Sequence, residues 1–106
     1  LFGCDTCQEA CPHNRQAKAP NSRDFVTKVH ARQNLIELIH MSNKEFRQVF
    51  QGSAASWRGK NVIRRNALSV LSNVGSTGDI RDVERLLDDP SEIVRNQARR
   101  TLKLLK

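Results

Sequence analysis

The sequence is poor in aromatic residues and in helix breakers. It contains no Tyr, one Trp and four Phe, with only three Pro and five Gly. No apolar run approaches the 18 residues that suggest a membrane span, and no basic-then-apolar stretch at the N-terminus resembles a secretion signal. An initiating Met is also missing. We therefore expect a small helical protein with no membrane partner, as a piece of a longer chain.

Cysteine is missing from residues 12–106, and all three Cys lie within residues 4–11. A secreted disulfide scaffold would spread an even number of Cys along the chain. Clustered thiols instead indicate a reducing compartment and a metal or redox role. We therefore expect a cytoplasmic protein.

Charge of one sign dominates the chain. Lys and Arg number 18 against 11 Asp and Glu, which gives a formal net charge of +7. A basic balance in a chain of this size favours an anionic partner, usually nucleic acid. Solubility alone would also account for it, so charge raises a nucleic-acid hypothesis without deciding it.

The pattern from Phe25 onward is helical, with no alternation of period two. Residues 13–24 have no periodicity and indicate a linker. We therefore divide the chain into a cysteine motif with its linker, residues 1–24, and a helical domain, residues 25–106. The predicted helices cover about 31–41, 42–51, 61–74, 79–88 and 92–105.

Ser42 and Glu45 mark the start of the second predicted helix. Ser42 can cap the helix while Glu45 reaches back to it, which is the capping-box signature. The apolar residues that this helix is expected to bury are Phe46, Val49 and Phe50. Residues 52–60 are predicted to form a loop that holds Trp57.

Two predicted helices repeat one pattern at an offset of 31 residues. The buried positions predicted for the first are Ile63, Ala67, Val70, Leu71 and Val74, and for the second Val94, Ala98, Thr101, Leu102 and Leu105. Arg64 and Arg95 occupy the same position in both copies. The shorter helix between them is expected to turn inward Ile80, Val83, Leu86 and Leu87. Such helices stack, because none of them buries its apolar stripe alone.

The junction of residues 88–91 separates the last two predicted helices. Pro90 cannot continue the preceding helix, and Ser91 can cap the next one. The string D-D-P-S-E-I-V-R-N-Q-A resembles the turn and second helix of HEAT-like repeats. The predicted fold class is therefore all-α, with a short HEAT-like α-solenoid after the cysteine motif. An ordinary helical bundle is the alternative.

The cysteines follow the pattern Cys4-x2-Cys7-x3-Cys11-Pro12. Bacterial two-cluster ferredoxin motifs end with this spacing, and their last Cys, followed by Pro, ligates the other cluster. Iron–sulfur clusters need converging soft thiolates, which close spacing on a tight turn supplies. Three thiolates cannot complete a cube that needs four, so further ligands would lie upstream. The motif predicts the end of a ferredoxin-type 4Fe–4S site with Cys4, Cys7 and Cys11 as metal ligands.

Two other chemistries fit the same thiols. Zinc could be held by Cys4, Cys7, Cys11 and His13, although the single residue between Cys11 and His13 is not a usual zinc spacing. A redox pair of Cys4 and Cys7 would normally follow a strand, and none is predicted here. Structural thiols without chemistry are the third alternative.

Several stretches together resemble the epoxyqueuosine reductase family. The second cysteine motif of the family is similar to F-G-C-D-T-C-Q-E-A-C-P-H-N in this chain. A later stretch of the family is similar to E-F-R-Q-V-F-Q-G-S-A-A-S-W-R-G-K-N-V-I-R-R-N-A-L, and the repeat that follows completes the order. The resemblance implies the C-terminal part of an iron–sulfur oxidoreductase that reduces epoxyqueuosine to queuosine in tRNA, using cobalamin and two 4Fe–4S clusters. It implies that Cys4 and Cys7 ligate one cluster and Cys11 the other. His13 departs from the family, which more often has an aromatic residue there.

The resemblance also implies that the other cluster cysteines, the cobalamin site and the catalytic acid belong to an upstream catalytic domain of the parent chain. This chain alone would then not be catalytic. We expect tRNA as its partner and a monomeric state. We assign no catalytic role to His13, His30 or His40, because a lone His is rarely functional without partners.

The predicted tRNA contacts are Trp57, Arg58, Lys60, Arg64, Arg65, Arg95 and Arg99. A guanidinium fork can bind two phosphate oxygens, and Trp57 offers a stacking surface for an unpaired base. Arg95, Arg99 and Lys103 form one stripe at helical spacing. The alternatives are a core position for Trp57, hydrogen bonds from Arg64 and Arg95 to the Asp of the turn, and ion pairs with Asp82, Glu84, Asp88 and Glu92.

A second class of function is also open. The chain could be a zinc-tailed helical-repeat adaptor that binds proteins and has no RNA role. The absorption spectrum of the parent protein distinguishes the two classes, because an iron–sulfur protein absorbs visible light and a zinc protein is colourless.

Overall fold

The computed structural model describes residues 1–19 and 33–106. Within these ranges the chain forms α-helices and no β-strand, so the predicted all-α class is confirmed there. The helices are α1 (Thr6–Ala10), α2 (Leu35–His40), α3 (Asn43–Phe50), α4 (Ala55–Arg58), α5 (Lys60–Val74), α6 (Ile80–Glu84) and α7 (Glu92–Leu105), with 3-10 turns at Pro12–Asn14 and Thr77–Asp79. The predicted domain boundary at 24/25, the start of the 31–41 helix and His30 lie outside the described residues.

Helix α3 begins with the predicted capping box. Ser42 Oγ accepts from the Glu45 backbone N–H at 3.2 Å, and the Glu45 carboxylate accepts from the Ser42 backbone N–H at 2.7 Å. This second bond lowers the pKa of Glu45. Phe46 and Phe50 are buried with ring centroids 5.0 Å apart, and Val49 packs against the core at its edge.

The prediction of a loop over residues 52–60 is wrong in its middle. Ala55–Arg58 forms the single turn α4, and the Ser53 backbone carbonyl accepts from the Ser56 backbone N–H at 3.1 Å and from the Ser56 hydroxyl at 2.7 Å. Gly59 then takes a left-handed conformation (φ 79°), which side chains with a Cβ disfavour, and this turns the chain from α4 into α5. Trp57 is 94% exposed, so the alternative that placed it in the core is wrong.

Helices α5 and α7 pack against each other along the 31-residue repeat. Their matched positions are buried in both copies: Ile63 with Val94, Ala67 with Ala98, and Leu71 with Leu102. The two alanines are fully buried, and small side chains let helix backbones approach closely. Thr101 is also fully buried and donates from its hydroxyl to the Leu68 carbonyl at 2.9 Å.

One end of the repeat differs from its prediction. Val74 is 68% exposed, whereas its counterpart Leu105 is buried. Leu68, which was not predicted to be inside, is fully buried. Helix α5 packs against both α2 and α7, so it can bury a residue such as Leu68 outside the single predicted stripe.

Helix α6 is shorter than the predicted 79–88 segment, because residues 85–88 form a turn. Val83 and Leu86 are nevertheless buried as predicted, and Ile80 and Leu87 are partly buried. Ser91 occupies the N-cap position of α7, but its side chain makes no capping hydrogen bond. Its backbone N–H instead donates to the Asp89 carboxylate at 2.9 Å.

Arg64 ties three parts of the helical core together. It is only 7% exposed and forms an ion pair with Asp89 at 2.5 Å. Its Nε donates to the Ile39 backbone carbonyl at 2.7 Å, and its Nη1 donates to the Asn61 side chain at 3.3 Å. These bonds connect α2 and α5 with the junction before α7. In residues 1–19 and 33–106, no helix is long and apolar enough to cross a membrane.

Candidate functional site

The cysteines flank and occupy the short helix α1. Cys4 precedes the helix, Cys7 lies within it, and Cys11 follows its last residue. The Asp5 carbonyl starts the helix by accepting from the Gln8 and Glu9 backbone N–H groups, both at 2.9 Å. Pro12 opens the 3-10 turn that follows, where its fixed φ suits a first helical position.

All three thiols are free, with Cys4 and Cys7 exposed and Cys11 half-buried. The Thr6 hydroxyl lies 3.1 Å from Cys4 Sγ. This hydrogen bond, with a second from the Thr6 backbone N–H, lowers the pKa of the Cys4 thiol below its ordinary value. Thiolate is the form that binds metals, so Cys4 is prepared for that role.

The residues suit a soft metal group in chemistry but do not enclose one by themselves. Free thiols are the ligand type of iron–sulfur clusters, yet three of them leave a four-coordinate group incomplete. Among the described residues, no three His, Cys, Asp or Glu side chains are grouped so that they could hold a metal ion. Within these residues, neither the three cysteines of the cluster hypothesis nor the same cysteines with His13 of the zinc hypothesis are gathered around one position, so both hypotheses rest on the sequence spacing.

The N-terminal residues join the cysteines to the helical core. Asn66 on α5 donates from Nδ2 to the Leu1 carbonyl at 2.8 Å, across 65 positions of sequence. Gly3 follows with a left-handed backbone (φ 84°) and leads directly to Cys4. The sequence analysis missed Asn66, because nothing local to residue 66 indicates a partner so far away in the chain.

A shallow depression lies at this junction. Its basic members are Arg58 and Arg65, both exposed, and Phe2 and Val62 contribute apolar surface. Leu1, Gly3 and Asn66 complete the lining. The structure thus brings two of the predicted tRNA contacts together beside the chain that leads to Cys4. Trp57 is the neighbour of Arg58 in sequence and projects into solvent.

Three other predicted contacts gather at the junction before α7. Arg64 and Lys60 line a second depression that Asp89 and Pro90 also line. Arg95 donates to the backbone carbonyls of Asp89 at 2.6 Å and Pro90 at 3.0 Å. Arg95 therefore forms hydrogen bonds at the turn, as the alternative to RNA contact expected. Arg64 is bound at the same turn through its ion pair with Asp89. Burial leaves Arg64 no open face for a phosphate.

Asp89 is held as a carboxylate by these neighbours. Burial works to raise its pKa, but the hydrogen bonds from Arg64 and the Ser91 backbone N–H, with the charges of Arg64 and Lys60, lower it overall. A charged acceptor is thereby fixed at the centre of the junction.

Among the described residues, the arginines predicted to contact tRNA do not form the alternative ion pairs with Asp82, Glu84, Asp88 and Glu92. Asp82 lies 3.5 Å from the His40 ring and 3.6 Å from Arg85, and Glu84 lies 3.8 Å from Lys106. In the part of the chain that the structure describes, Arg64 is the one predicted contact that forms a salt bridge. The remaining predicted contact, Arg99, is exposed and donates to the Asn96 side chain at 3.3 Å.

Several curated relatives cover most of this chain. An epoxyqueuosine reductase of Staphylococcus aureus is 36% identical over 86 residues, which is 81% of this chain and 23% of that protein. One of Listeria monocytogenes is 36% identical over 100 residues, 92% of this chain and 26% of that protein. One of Lactococcus garvieae is 38% identical over 74 residues, 69% of this chain and 21% of that protein. No family model and no solved structure matches.

Fold and site define a helical protein segment that carries a group of free thiols at one end. The relatives define it further: the chain belongs to the epoxyqueuosine reductase family, as the sequence resemblance implied. It spans about a quarter of the length of the curated relatives it matches.

Proposed function

We propose that this chain is the C-terminal part of an epoxyqueuosine reductase and supplies cluster ligands and a tRNA-holding surface. The parent protein would reduce epoxyqueuosine to queuosine in tRNA. Family membership, free thiols at ferredoxin-type spacing and a basic surface beside them support this proposal. The cobalamin site, the other cluster ligands and the catalytic acid belong to the upstream part of the parent, so the chain alone is not catalytic.

In this proposal Cys4 and Cys7 serve one 4Fe–4S cluster and Cys11 serves the other. The clusters, when bound, carry single electrons toward the substrate. Cys4 and Cys7 are exposed, which suits this role. The remaining cluster ligands belong to the upstream part of the parent and must approach the thiols from outside this chain. The Thr6 hydroxyl at Cys4 favours the thiolate that a cluster requires.

The helical part acts as a short HEAT-like repeat that holds RNA. Support for the repeat comes from its two copies, which share three buried pairs of positions and use Arg64 and Arg95 at the same junction. Stacked helix pairs of this kind present long binding surfaces.

The observation that carries the RNA proposal is the position of Arg58. It is exposed, its side chain has no hydrogen-bonding or ionic partner among the described residues, and it lines a depression with residues 1–3, which directly precede Cys4 in the chain. A guanidinium in this state can bind phosphate without first losing an internal bond. Bound tRNA would then lie beside the cluster ligands, which is where electrons are needed.

The test is tRNA binding by this chain across a salt series, with duplex DNA of equal length as competitor. Phosphate contacts release counterions, so log affinity should fall linearly with log salt concentration. Arg58→Gln should weaken binding and make the slope shallower by about one. Arg81→Gln is the matched control, because Arg81 is exposed, has the same charge and lies outside the depression.

Binding that prefers tRNA and responds to Arg58→Gln more than to Arg81→Gln supports the proposal. Equal effects of the two variants, or equal affinity for duplex DNA, would show only general attraction of a basic protein for polyanions. The RNA-holding role would then pass to the upstream part of the parent.

A further inference from the structure

The side-chain amide of Asn66 has a partner on each of its two ends. Its Oδ1 accepts from Arg65 Nε at 3.0 Å and from Arg65 Nη2 at 2.7 Å. Its Nδ2 donates to the Leu1 backbone carbonyl at 2.8 Å. Asn66 therefore stands between an exposed arginine of α5 and the start of the cysteine segment, which we define as residues 1–19.

The two partners fix which way the amide points. Arg has only donors, so it must face the amide oxygen, while a backbone carbonyl has only acceptor lone pairs, so it must face the amide nitrogen. The reverse orientation would oppose donor to donor and acceptor to acceptor. Arg65 thus holds the Asn66 amide in the single orientation that can bind Leu1.

Beyond residues 1 and 2, little of the cysteine segment is covered by the helical body. Helix α1 has five residues and none of them is buried. In the described part of the segment Cys11 is the residue with intermediate burial, and the others are exposed. Leu1 and Phe2 are 44% and 43% exposed and line a depression with Leu35, Phe50 and Ile63, so they supply apolar contact with the helical body. The hydrogen bond at Leu1 adds a directional contact that fixes how residue 1 sits on α5, and Cys4 is only three residues away.

We propose that Asn66 is a positioning residue that docks the cysteine segment on helix α5, with Arg65 orienting its amide. The docking itself is a property of this chain. Its use, to place Cys4 beside the RNA surface, rests on the proposed function.

The experiment is NMR spectroscopy of the full 106-residue chain under reducing conditions, without metal or RNA. In the wild type, nuclear Overhauser contacts should join Phe2 to Val62, which line the same depression. Backbone order parameters of residues 2–5 should approach the rigid value of about 0.85. The Leu1 carbonyl carbon should show the downfield shift of a hydrogen-bonded carbonyl.

Asn66→Ala should abolish the Phe2–Val62 contacts, lower the order parameters of residues 2–5 below about 0.6 and move the Leu1 carbonyl signal upfield. Asn66→Asp should do the same, because a carboxylate still accepts from Arg65 but cannot donate to Leu1. These changes should leave the helical signals in place, since Ala and Asp are tolerated on an exposed helix edge.

Asn73→Ala is the matched control. Asn73 lies on the same helix and its Nδ2 also bonds to a backbone carbonyl, but that carbonyl belongs to Ser69 within α5. This variant should retain wild-type order in residues 2–5. Retained docking in Asn66→Ala or Asn66→Asp, or equal loss in Asn73→Ala, would overturn the proposal.

The RNA salt series is a separate measurement on the same chain. Loss of docking in the Asn66 variants supports the positioning role whatever that series shows. Absence of tRNA preference in the wild type contradicts the proposed function and leaves the docking result standing.

Discussion

The cysteine segment and the helical body, which we define as residues 33–106, are built on opposite principles. The helical body has one continuous apolar core to which each helix from α2 to α7 and the turn after α6 contribute. The cysteine segment contributes no residue to that core. Stability therefore belongs to the helical body, while the three free thiols belong to a segment outside its core.

This difference teaches how a small domain can present reactive thiols. Under the proposed function, these thiols would share clusters with another part of the parent protein, so they could not be enclosed by the core of this chain. The segment stays open, and a few polar contacts such as the one at Asn66 set its place. Substitutions should accordingly separate into those that unfold the body and those that change only the segment.

The largest effect is expected at Arg64. Arg64→Ala should lower the free energy of unfolding by about 3–5 kcal/mol, because it leaves the buried Asp89 carboxylate without its partner. Arg65→Ala is the control on the same helix, and it should change little, since Arg65 is exposed. Urea denaturation followed by circular dichroism measures both. Equal losses in the two variants would mean that the Arg64 network does not connect the helices as described.

The next effect concerns two apolar residues of α5. Leu68→Ala should cost about 2–5 kcal/mol, because Leu68 is fully buried and its truncation leaves a cavity. Val74→Ala should cost less than about 0.5 kcal/mol, because Val74 is largely exposed. The same denaturation experiment distinguishes them. A larger loss of unfolding free energy in Val74→Ala than in Leu68→Ala would mean that Val74 is the buried residue, as the repeat pattern of the sequence predicts.

A smaller effect should come from the pH dependence that Asp89 gives to the helical body. Its pKa is lower in the folded state than in the unfolded state, so its contribution is complete above about pH 4 and is lost as pH falls through the folded-state pKa. The wild type should lose more stability than Asp89→Asn between pH 6 and pH 3. The unfolding free energies of both at each pH provide the measurement, and parallel curves would contradict the assignment.

The smallest effect on stability is expected in the cysteine segment. Replacing Cys4, Cys7 and Cys11 together by Ser should leave the thermal midpoint of the helical body unchanged, because none of the three packs in its core. The same substitution in the parent protein should abolish part of its bound iron, measured by metal analysis after anaerobic purification. A large drop in midpoint would show that the two regions are not independent.

Local signals in the sequence predicted much of the helical body correctly. The capping box at Ser42 and Glu45 and the last helix at 92–105 follow from rules that act within a few residues. The repeat positions around Ile63 and Val94 are also correct, because a helix that packs once along its length shows one apolar stripe.

Predictions failed where burial depends on several neighbours. Leu68 is buried on a helix that packs against both α2 and α7, whereas Val74 is exposed although it continues the predicted apolar spacing. Apolar periodicity in a sequence indicates one buried face of a helix and does not reveal a second buried face. For Trp57 the sequence left open a stacking surface and a core position, and its place on the one-turn helix α4 leaves it in solvent.

The sequence by itself determined the helical class, the grouping of thiols with ferredoxin-type spacing and the family, because periodicity, spacing and similarity are properties of the chain order. The tertiary structure decided which arginines face inward and what holds the cysteine segment. Arg64 and Arg65 are neighbours in sequence, yet one is buried against Asp89 and the other is exposed beside Asn66. The physical reason is that the partner of Arg64 lies 25 positions away in the chain and the partner of Asn66 lies 65 positions away, so neither leaves a trace in the neighbouring residues.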